Sequence, residues 1–366
     1  MKPIKPKRPN ELHETRGNRI TRMEDIANEA GVSLMTVSRA LKPNTSVAPA
    51  TRERIQAVVK RLGYVPDFNA GSLAARRSGF VSLLVPSLNN PHFAETAMGM
   101  KEVLEPYGLQ VLLGHTNYQA GQEQLLVQAM LRRRPEAIVL TYDGHSVGTR
   151  RLLKEAAIPV IDIWETPVKP VGHVVGFSNR AASRAMTEHL IAQAYKRIAY
   201  IGESHDEGTR GTLRRLGFID ALENAGLDTS RQIAQAPPPI NMDQGSAALA
   251  SLLSRWPDTE AVMCVSDPCA FGVLAECQRR GIKVPKQLAI AGFGAFEISA
   301  ACVPAISTLG FSGREMGHEA AKLIIDLLAH QGDKKATNTA IKNRTVLIKT
   351  EVLARPSTLR SIKHTD

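Results

Sequence analysis

Thr21–Leu41 reads TRMEDIANEAGVSLMTVSRAL, and this stretch decides the first part of the fold. Thr21 followed by Glu24 has the spacing of a capping box, in which side chain and backbone satisfy each other at a helix start. A helix from Arg22 to Ala30 turns Ile26, Ala27 and Ala30 to one side, and Gly31 supplies the tight turn that ends it. Ser33 is placed to cap a second helix running through Leu41, with Val37 facing inward. Leu34, Met35 and Arg39 then project together. In a helix-turn-helix the early residues of the second helix face base edges in the major groove. Arg39 suits guanine O6 and N7, Leu34 or Met35 suit thymine methyl groups, and the hydroxyls of Ser33, Thr36 and Ser38 suit phosphates. The same pattern also fits a plain helical hairpin with Leu34 and Met35 in a core. A third helix follows, with Pro49 in its first turn and Ile55, Val58, Val59 and Leu62 on one apolar stripe, although Ala48 before it is a poor cap.

Charge is gathered at the same end. Residues 1–78 hold 15 Lys and Arg against 7 Asp and Glu, a net of +8, whereas the other 288 residues hold 31 against 28. That asymmetry fits an electrostatic footprint for nucleic acid, and it fits a solvated basic face equally well. Residues 1–20 read as a disordered basic arm without the apolar stretch of a secretory signal, and no run approaches the roughly 18 apolar residues of a membrane span. The expectation is a cytoplasmic, nucleoid-associated protein with no membrane partner. Cys264, Cys269, Cys277 and Cys302 show neither CxxC pairing nor neighbouring His at zinc spacing, so they read as reduced core thiols and no metal or cofactor is expected.

From Phe80 the texture changes to apolar runs alternating with amphipathic stretches. FVSLLVP, LQVLLG, EAIVLT and IPVIDI are strand-like, separated by helical segments at 91–107, 121–134 and 147–157. RIAYIG, EAVMCVS and QLAIAGF continue the rhythm, with helical segments near 181–193, 212–225, 243–255 and 269–280. Alternation of this kind implies parallel sheets covered by helices on both faces. Two blocks, divided near residue 163 with a late return at 306–330, imply two similar doubly wound subdomains. Ligands in such folds lie outside the carboxyl ends of the strands.

DIANEAGVSLMTVSRAL followed by VAPATRERIQAVVKRLGYVP closely resembles the lac-repressor (LacI/GalR) family, and the resemblance runs from about Thr21 to Leu353. It implies an all-α helix-turn-helix domain at 21–65, a hinge helix at 66–78 and a periplasmic-binding-protein-like effector and dimerisation core at 79–353, leaving a tail at 354–366. It also implies a homodimer on double-stranded DNA at a pseudo-palindromic operator. Thr21, Asn44 and Tyr64 join the reader residues on the strength of the resemblance. Leu73 matches the leucine that wedges into the minor groove, Ala70 matches the small residue beside it, and Arg76 and Arg77 are placed for phosphates. Asp67 and Gly71 depart from the family pattern, and a glycine costs about 1 kcal/mol in a helix, so the hinge is expected to lean on DNA for its order.

In the core, Arg214 within GESHDEGTRGTLRRLGFIDAL aligns with the family's ligand arginine, and Ser266 and Asp267 with its usual polar pair. The family often places an Asp shortly after the strand ending in Gly-Phe. Here AIAGF is followed by Gly294-Ala295-Phe296, with no acid. Losing a carboxylate while keeping Arg214, with Arg210 and Arg215 nearby, favours an anionic ligand. LMTVSRAL, VPSLNNPHFAE, VVGFSN and AIAGF are most similar to the gluconate-operon branch of the family, which implies gluconate or a ketogluconate as effector. Asn89, Phe93, His115, Trp164 and Glu165 follow strand ends and are candidates to line the cleft. His115 and Trp164 read as readily as packing or rim residues, and Arg210 and Arg215 as solvent-facing ones.

The expected function is repression controlled by a sugar-acid effector. Alternatives are an effector acting as corepressor, a neutral-sugar effector, a sugar-binding transport protein and a sugar-acid enzyme. Against the enzyme, the chain lacks a G-x-S-x-G elbow, a phosphate-cradling G-x-x-x-x-G-K-[ST], an H-E-x-x-H and a G-x-G-x-x-G placed after a strand. Against the transport protein stands the attached reader.

Overall fold

The computed structural model describes residues 21–41, 46–65, 78–204, 209–332 and 342–360. The basic arm, Asn44, and the hinge candidates Asp67, Ala70, Gly71, Leu73, Arg76 and Arg77 lie outside the described residues. The chain forms two compact units, Met1–Arg76 and Arg77–Asp366.

The first unit is helical. Helices α1 (Met23–Ala30), α2 (Leu34–Ala40) and α3 (Pro49–Leu62) enclose a small core of Ile26, Ala27, Ala30, Val37, Ala40, Ile55 and Val58, with Val59, Leu62 and Tyr64 packed against it. Gly31 takes φ +61, a conformation that would strain most side chains, and so lets α1 stop one turn before α2 begins. The start of α1 differs from the expected Thr21/Glu24 box. Arg22 is the cap residue, and its N–H donates to the Asp25 carboxylate at 2.7 Å, while the Thr21 hydroxyl donates to the Leu62 carbonyl at 3.2 Å. Thr21 thus ties α1 to the end of α3.

The second unit contains two parallel sheets. The first has six strands in the order β11-β5-β4-β3-β1-β2, comprising β1 (Phe80–Val85), β2 (Gln110–His115), β3 (Ala137–Thr141), β4 (Val160–Ile163), β5 (His173–Gly176) and β11 (Thr345–Leu347). The second has the order β7-β6-β8-β9, from β6 (Ile198–Glu203), β7 (Gln232–Ala236), β8 (Ala261–Cys264) and β9 (Ala289–Ala291). A short antiparallel pair, β10 (Thr308–Gly310) and β12 (Glu351–Leu353), completes it. Helices flank both sheets: α4 (Pro91–Leu104), α5 (Ala120–Arg132), α6 (Val147–Glu155) and α12 (Gly313–Gly332) belong with the first. Helices α7 (Asn179–Ala192), α8 (Arg210–Asn224), α9 (Met242–Arg255), α10 (Asp267–Arg279) and α11 (Glu297–Ala301) belong with the second.

The division between subdomains falls later than residue 163. Ile161, Asp162 and Ile163 pair with His173, Val174 and Val175, so β5 still belongs to the first sheet and the chain leaves it only after Gly176. The chain crosses twice more, between β10 and α12 and between β11 and β12. Close helix contact holds the first subdomain together. A Cβ on Gly99 would stand 2.3 Å from the Arg314 carbonyl oxygen, and one on Gly317 would stand 2.1 Å from that of Thr96, so α4 and α12 meet backbone to backbone. No helix among the described residues is long and apolar enough to cross a membrane.

Candidate functional site: a reader helix and a charged cavity

In the first unit, the Thr36 N–H donates to Ser33 Oγ at 3.2 Å, which caps α2, and the two hydroxyls lie 2.9 Å apart. Arg52 on α3 donates to the Ala40 carbonyl and satisfies the other end of the helix. With both ends fixed and Val37 buried, the opposite face is presented to solvent. Leu34 is 46% and Met35 63% exposed, and Arg39 is exposed as well. Two large apolar side chains left outside a core this small argue against the plain hairpin and for a surface awaiting a partner.

The second unit contains a cavity of about 300 Å³ at the carboxyl ends of both sheets. Ser87, Asn89 and Asn90 reach it from beyond β1, Tyr118 from beyond β2, Asp143 from beyond β3 and Trp164 from the end of β4. The second subdomain contributes Glu203, Arg210, Arg214, Asn241, Ser266 and Phe293. One wall is aromatic. Trp164 packs edge-on to Phe93 and Phe311, with centroids 5.4 and 5.3 Å away, and His92 meets Phe296 edge-on at 4.5 Å. Trp164 holds φ +72, uncommon for a large side chain, and its Nε1 is buried with no hydrogen-bond partner.

Three polar relationships shape the charge of the cavity. Arg210 begins α8, and both its backbone N–H and its Nε point to Asp143 Oδ1, at 3.0 and 3.4 Å. Arg214, one turn on, donates through Nε to Asn179 Oδ1 at 2.8 Å and through Nη1 to the Val265 carbonyl at 2.9 Å, and it lies over the Phe293 ring at 3.9 Å. Its acceptors are neutral. Glu203 sits against the first turn of α8, where a Cβ on Gly211 would come within 1.9 Å of its carboxylate. Burial pushes the Glu203 carboxyl up to about 7, opposed by Arg214. Burial brings His92 down to about 4, the Gly294 backbone resisting and Arg214 adding to the fall, so its imidazole is neutral at pH 7.

Of the candidates for effector binding, Asn89, Phe93, Trp164, Arg210, Arg214 and Ser266 line this cavity. His115 is exposed at the end of edge strand β2 and does not line it. Asp267 is fully buried behind it, accepting from Thr308 Oγ1 at 2.6 Å and the Phe296 N–H at 2.8 Å, and so braces the turn that carries Phe296. Glu165 is likewise buried, accepting from the Asn179 amide. Arg215 turns away to Gln232. Reading the sequence missed His92, Tyr118, Asp143 and Glu203. Asp143 and Glu203 carry the same signal as the others, a polar residue at or within two positions of a strand's carboxyl end. Gly294 and Phe296 line the cavity where the family's acid would stand.

Among the described residues no group of three or more His, Cys, Asp or Glu is arranged to hold a metal. Sequence comparison matches residues 22–67 to bacterial regulatory proteins of the lacI family and residues 187–358 to a periplasmic binding protein-like domain. The HTH-type transcriptional regulator GntR of Pseudomonas aeruginosa is 34% identical over 307 residues, 84% of this chain and 89% of that protein. The HTH-type transcriptional regulator IdnR of Escherichia coli is 31% identical over 311 residues, 85% of this chain and 92% of that one. A crystal structure of a LacI family transcriptional regulator from Silicibacter pomeroyi superposes with a TM-score of 0.72 at 43% identity, covering 77% of this chain and 100% of that one. With an exposed reader helix in one unit, a ligand-sized cavity in the other and relatives that are regulators rather than enzymes, the chain belongs to the lacI family of DNA-binding transcriptional regulators.

Proposed function

We propose that this regulator is a cytoplasmic homodimeric repressor whose operator affinity is lowered by a sugar acid of the gluconate or ketogluconate class. The observation that carries the reading is Arg214. It lines the cavity, its own hydrogen bonds go to neutral acceptors, and no described carboxylate forms an ion pair with it. A largely buried guanidinium with no described carboxylate in ion-pair contact, and with Glu203 beside it held toward its neutral form by burial, favours an anionic guest. The aromatic wall suits the carbon chain of such a guest, and Asn89, Asn241 and Ser266 offer partners for hydroxyls. On the DNA side, Ser33, Leu34, Met35, Thr36, Ser38 and Arg39 form the reading surface, with Thr21 and Tyr64 supporting it.

The test is fluorescence anisotropy on a library-selected palindromic operator, titrated with gluconate, 2-ketogluconate and glucose. Salt is held fixed because phosphate contacts make affinity steeply salt-dependent. Release by a sugar acid and not by glucose, abolished in Arg214→Ala, is the expected result. Equal release by glucose overturns the reading of the pocket, and tighter DNA binding on adding ligand overturns its sign.

A further inference from the structure

The cavity contains two arginines one helical turn apart, yet they are not equivalent. Arg210 is matched by Asp143 and its side chain is only 8% exposed, whereas Arg214 has neutral partners. The match is built in rather than incidental. Asp143 lies on the loop between β3 and α6, and that loop is braced at both ends. The Tyr142 N–H donates to the Ile163 carbonyl at 3.0 Å, and Ser146 caps α6 by accepting from the Thr149 N–H at 3.0 Å. Between them His145 is clamped, Nδ1 to Glu123 at 2.9 Å and Nε2 to Asp162 at 3.0 Å, with its side chain fully enclosed. The clamp holds Asp143 against the first turn of α8 in the opposite subdomain.

We propose that Asp143 is the charge filter of this cavity: by occupying Arg210 it leaves one guanidinium for the ligand, and so selects a sugar acid with one carboxylate over one with two. The inference rests on the sugar-acid reading of the site. A diacid of the same length brings a second carboxylate that must be stripped of water, and the cation able to receive it is already engaged. Glu203 adds to the discrimination, because it stands beside both arginines and disfavours further negative charge whenever it is ionised. Asp143→Asn keeps an acceptor for the Arg210 backbone N–H and removes only the charge, which releases Arg210 for a second carboxylate.

Isothermal titration calorimetry of the full chain with gluconate and glucarate, at one pH and salt, separates the possibilities. Wild type is expected to bind gluconate about tenfold more tightly than glucarate, and Asp143→Asn to move that ratio about tenfold toward glucarate, the size of one compensated charge contact. The ratio between two ligands of one protein is insensitive to a uniform loss of folded molecules. A ratio unchanged by the substitution, or a wild type that takes glucarate as well as gluconate, overturns the filter and leaves the sugar-acid site standing. Failure of wild type to bind either acid overturns the sugar-acid reading, and the filter with it.

Discussion

Arg214 and Asn179 are joined by a 2.8 Å hydrogen bond from Nε to Oδ1, and that bond fixes which way the Asn179 amide faces. Its Nδ2 is thereby turned to the Trp164 carbonyl at 2.8 Å and to Glu165 at 2.8 Å. The cation of one subdomain and the strained tryptophan of the other are held through a single fully buried side chain. Arg214→Lys keeps a positive charge but cannot span Asn179 and Val265 while also gripping a carboxylate in two places. We expect at least about a tenfold loss of sugar-acid affinity, equivalent to about 1.4 kcal/mol. Calorimetry on the full chain checks this, and wild-type affinity in the lysine variant refutes it.

Ligand affinity should fall as pH rises through about 7. Glu203 is the group responsible, since burial brings its carboxyl up to about 7 and it faces Arg214, Arg210, Asp143 and Tyr200. Below that pH it is neutral and tolerates an anion; above it, it repels one. A sugar acid stays ionised throughout this range, so the change belongs to the protein. The expected weakening between pH 6 and 8 is about tenfold, and Glu203→Gln should flatten the profile.

Stability should also decline on the alkaline side, for a different reason. Burial pushes the His145 imidazole down, but its bonds to Asp162 and Glu123 outweigh that and raise it to about 9. The folded state holds this proton more tightly than the unfolded one. The stabilisation is therefore complete below about pH 6.5 and is lost as pH rises through 9, a change of about 3 kcal/mol in all. Urea unfolding at pH 6.5, 7.5 and 8.5 should show the decline in wild type. In His145→Gln the protein should be weaker at pH 6.5 and much less sensitive over the same interval.

On the reader helix, stability and recognition should separate. Ser33→Ala removes the cap of α2 and should cost about 1 kcal/mol in thermal unfolding. Met35→Ala alters an exposed side chain and should shift stability by less than about 0.5 kcal/mol, and Arg39→Ala is the second recognition variant. Each should nonetheless weaken binding to the selected operator by about tenfold relative to random DNA at the same salt. Equal losses on both DNAs would show phosphate contact instead of base reading.

The helical unit was legible because every position had a local cause: Gly31 for the turn, Ser33 for the cap, and Ile26, Val37 and Ile55 for the core. The Thr21/Glu24 box misled because Asp25, one residue on, reaches the same backbone donor from a cap at Arg22. Continuous apolar runs such as FVSLLV and AIVLT announce themselves, while HVVG, QIAQA, TLG, TVL and EVL do not, since polar residues or glycine break each of these short strands and leave no apolar run to stand out. Without HVVG as a strand, the sequence alone puts the subdomain boundary before β5, which in fact pairs with β4. In the cavity, residues one step beyond a strand were accessible to reasoning. What separates His115 from Trp164 is place in the sheet, since His115 ends the exposed edge strand β2 and Trp164 follows the interior strand β4 and is buried. What sets Arg210 apart from Arg214 is Asp143, which lies 67 positions before Arg210 in the chain.

The three crossings between the halves of the core have a mechanical consequence. Strands β5 and β11 are neighbours on one side and β10 and β12 on the other, so the three tethers leave and arrive side by side. A lobe hung from one thread can swing or slide in any direction. Hung from three adjacent threads it behaves as a door on pins, with one axis and little sideways play. Occupying the cavity can then do little except open or shut that door, and a ligand contact worth a few kcal/mol is spent along a single coordinate.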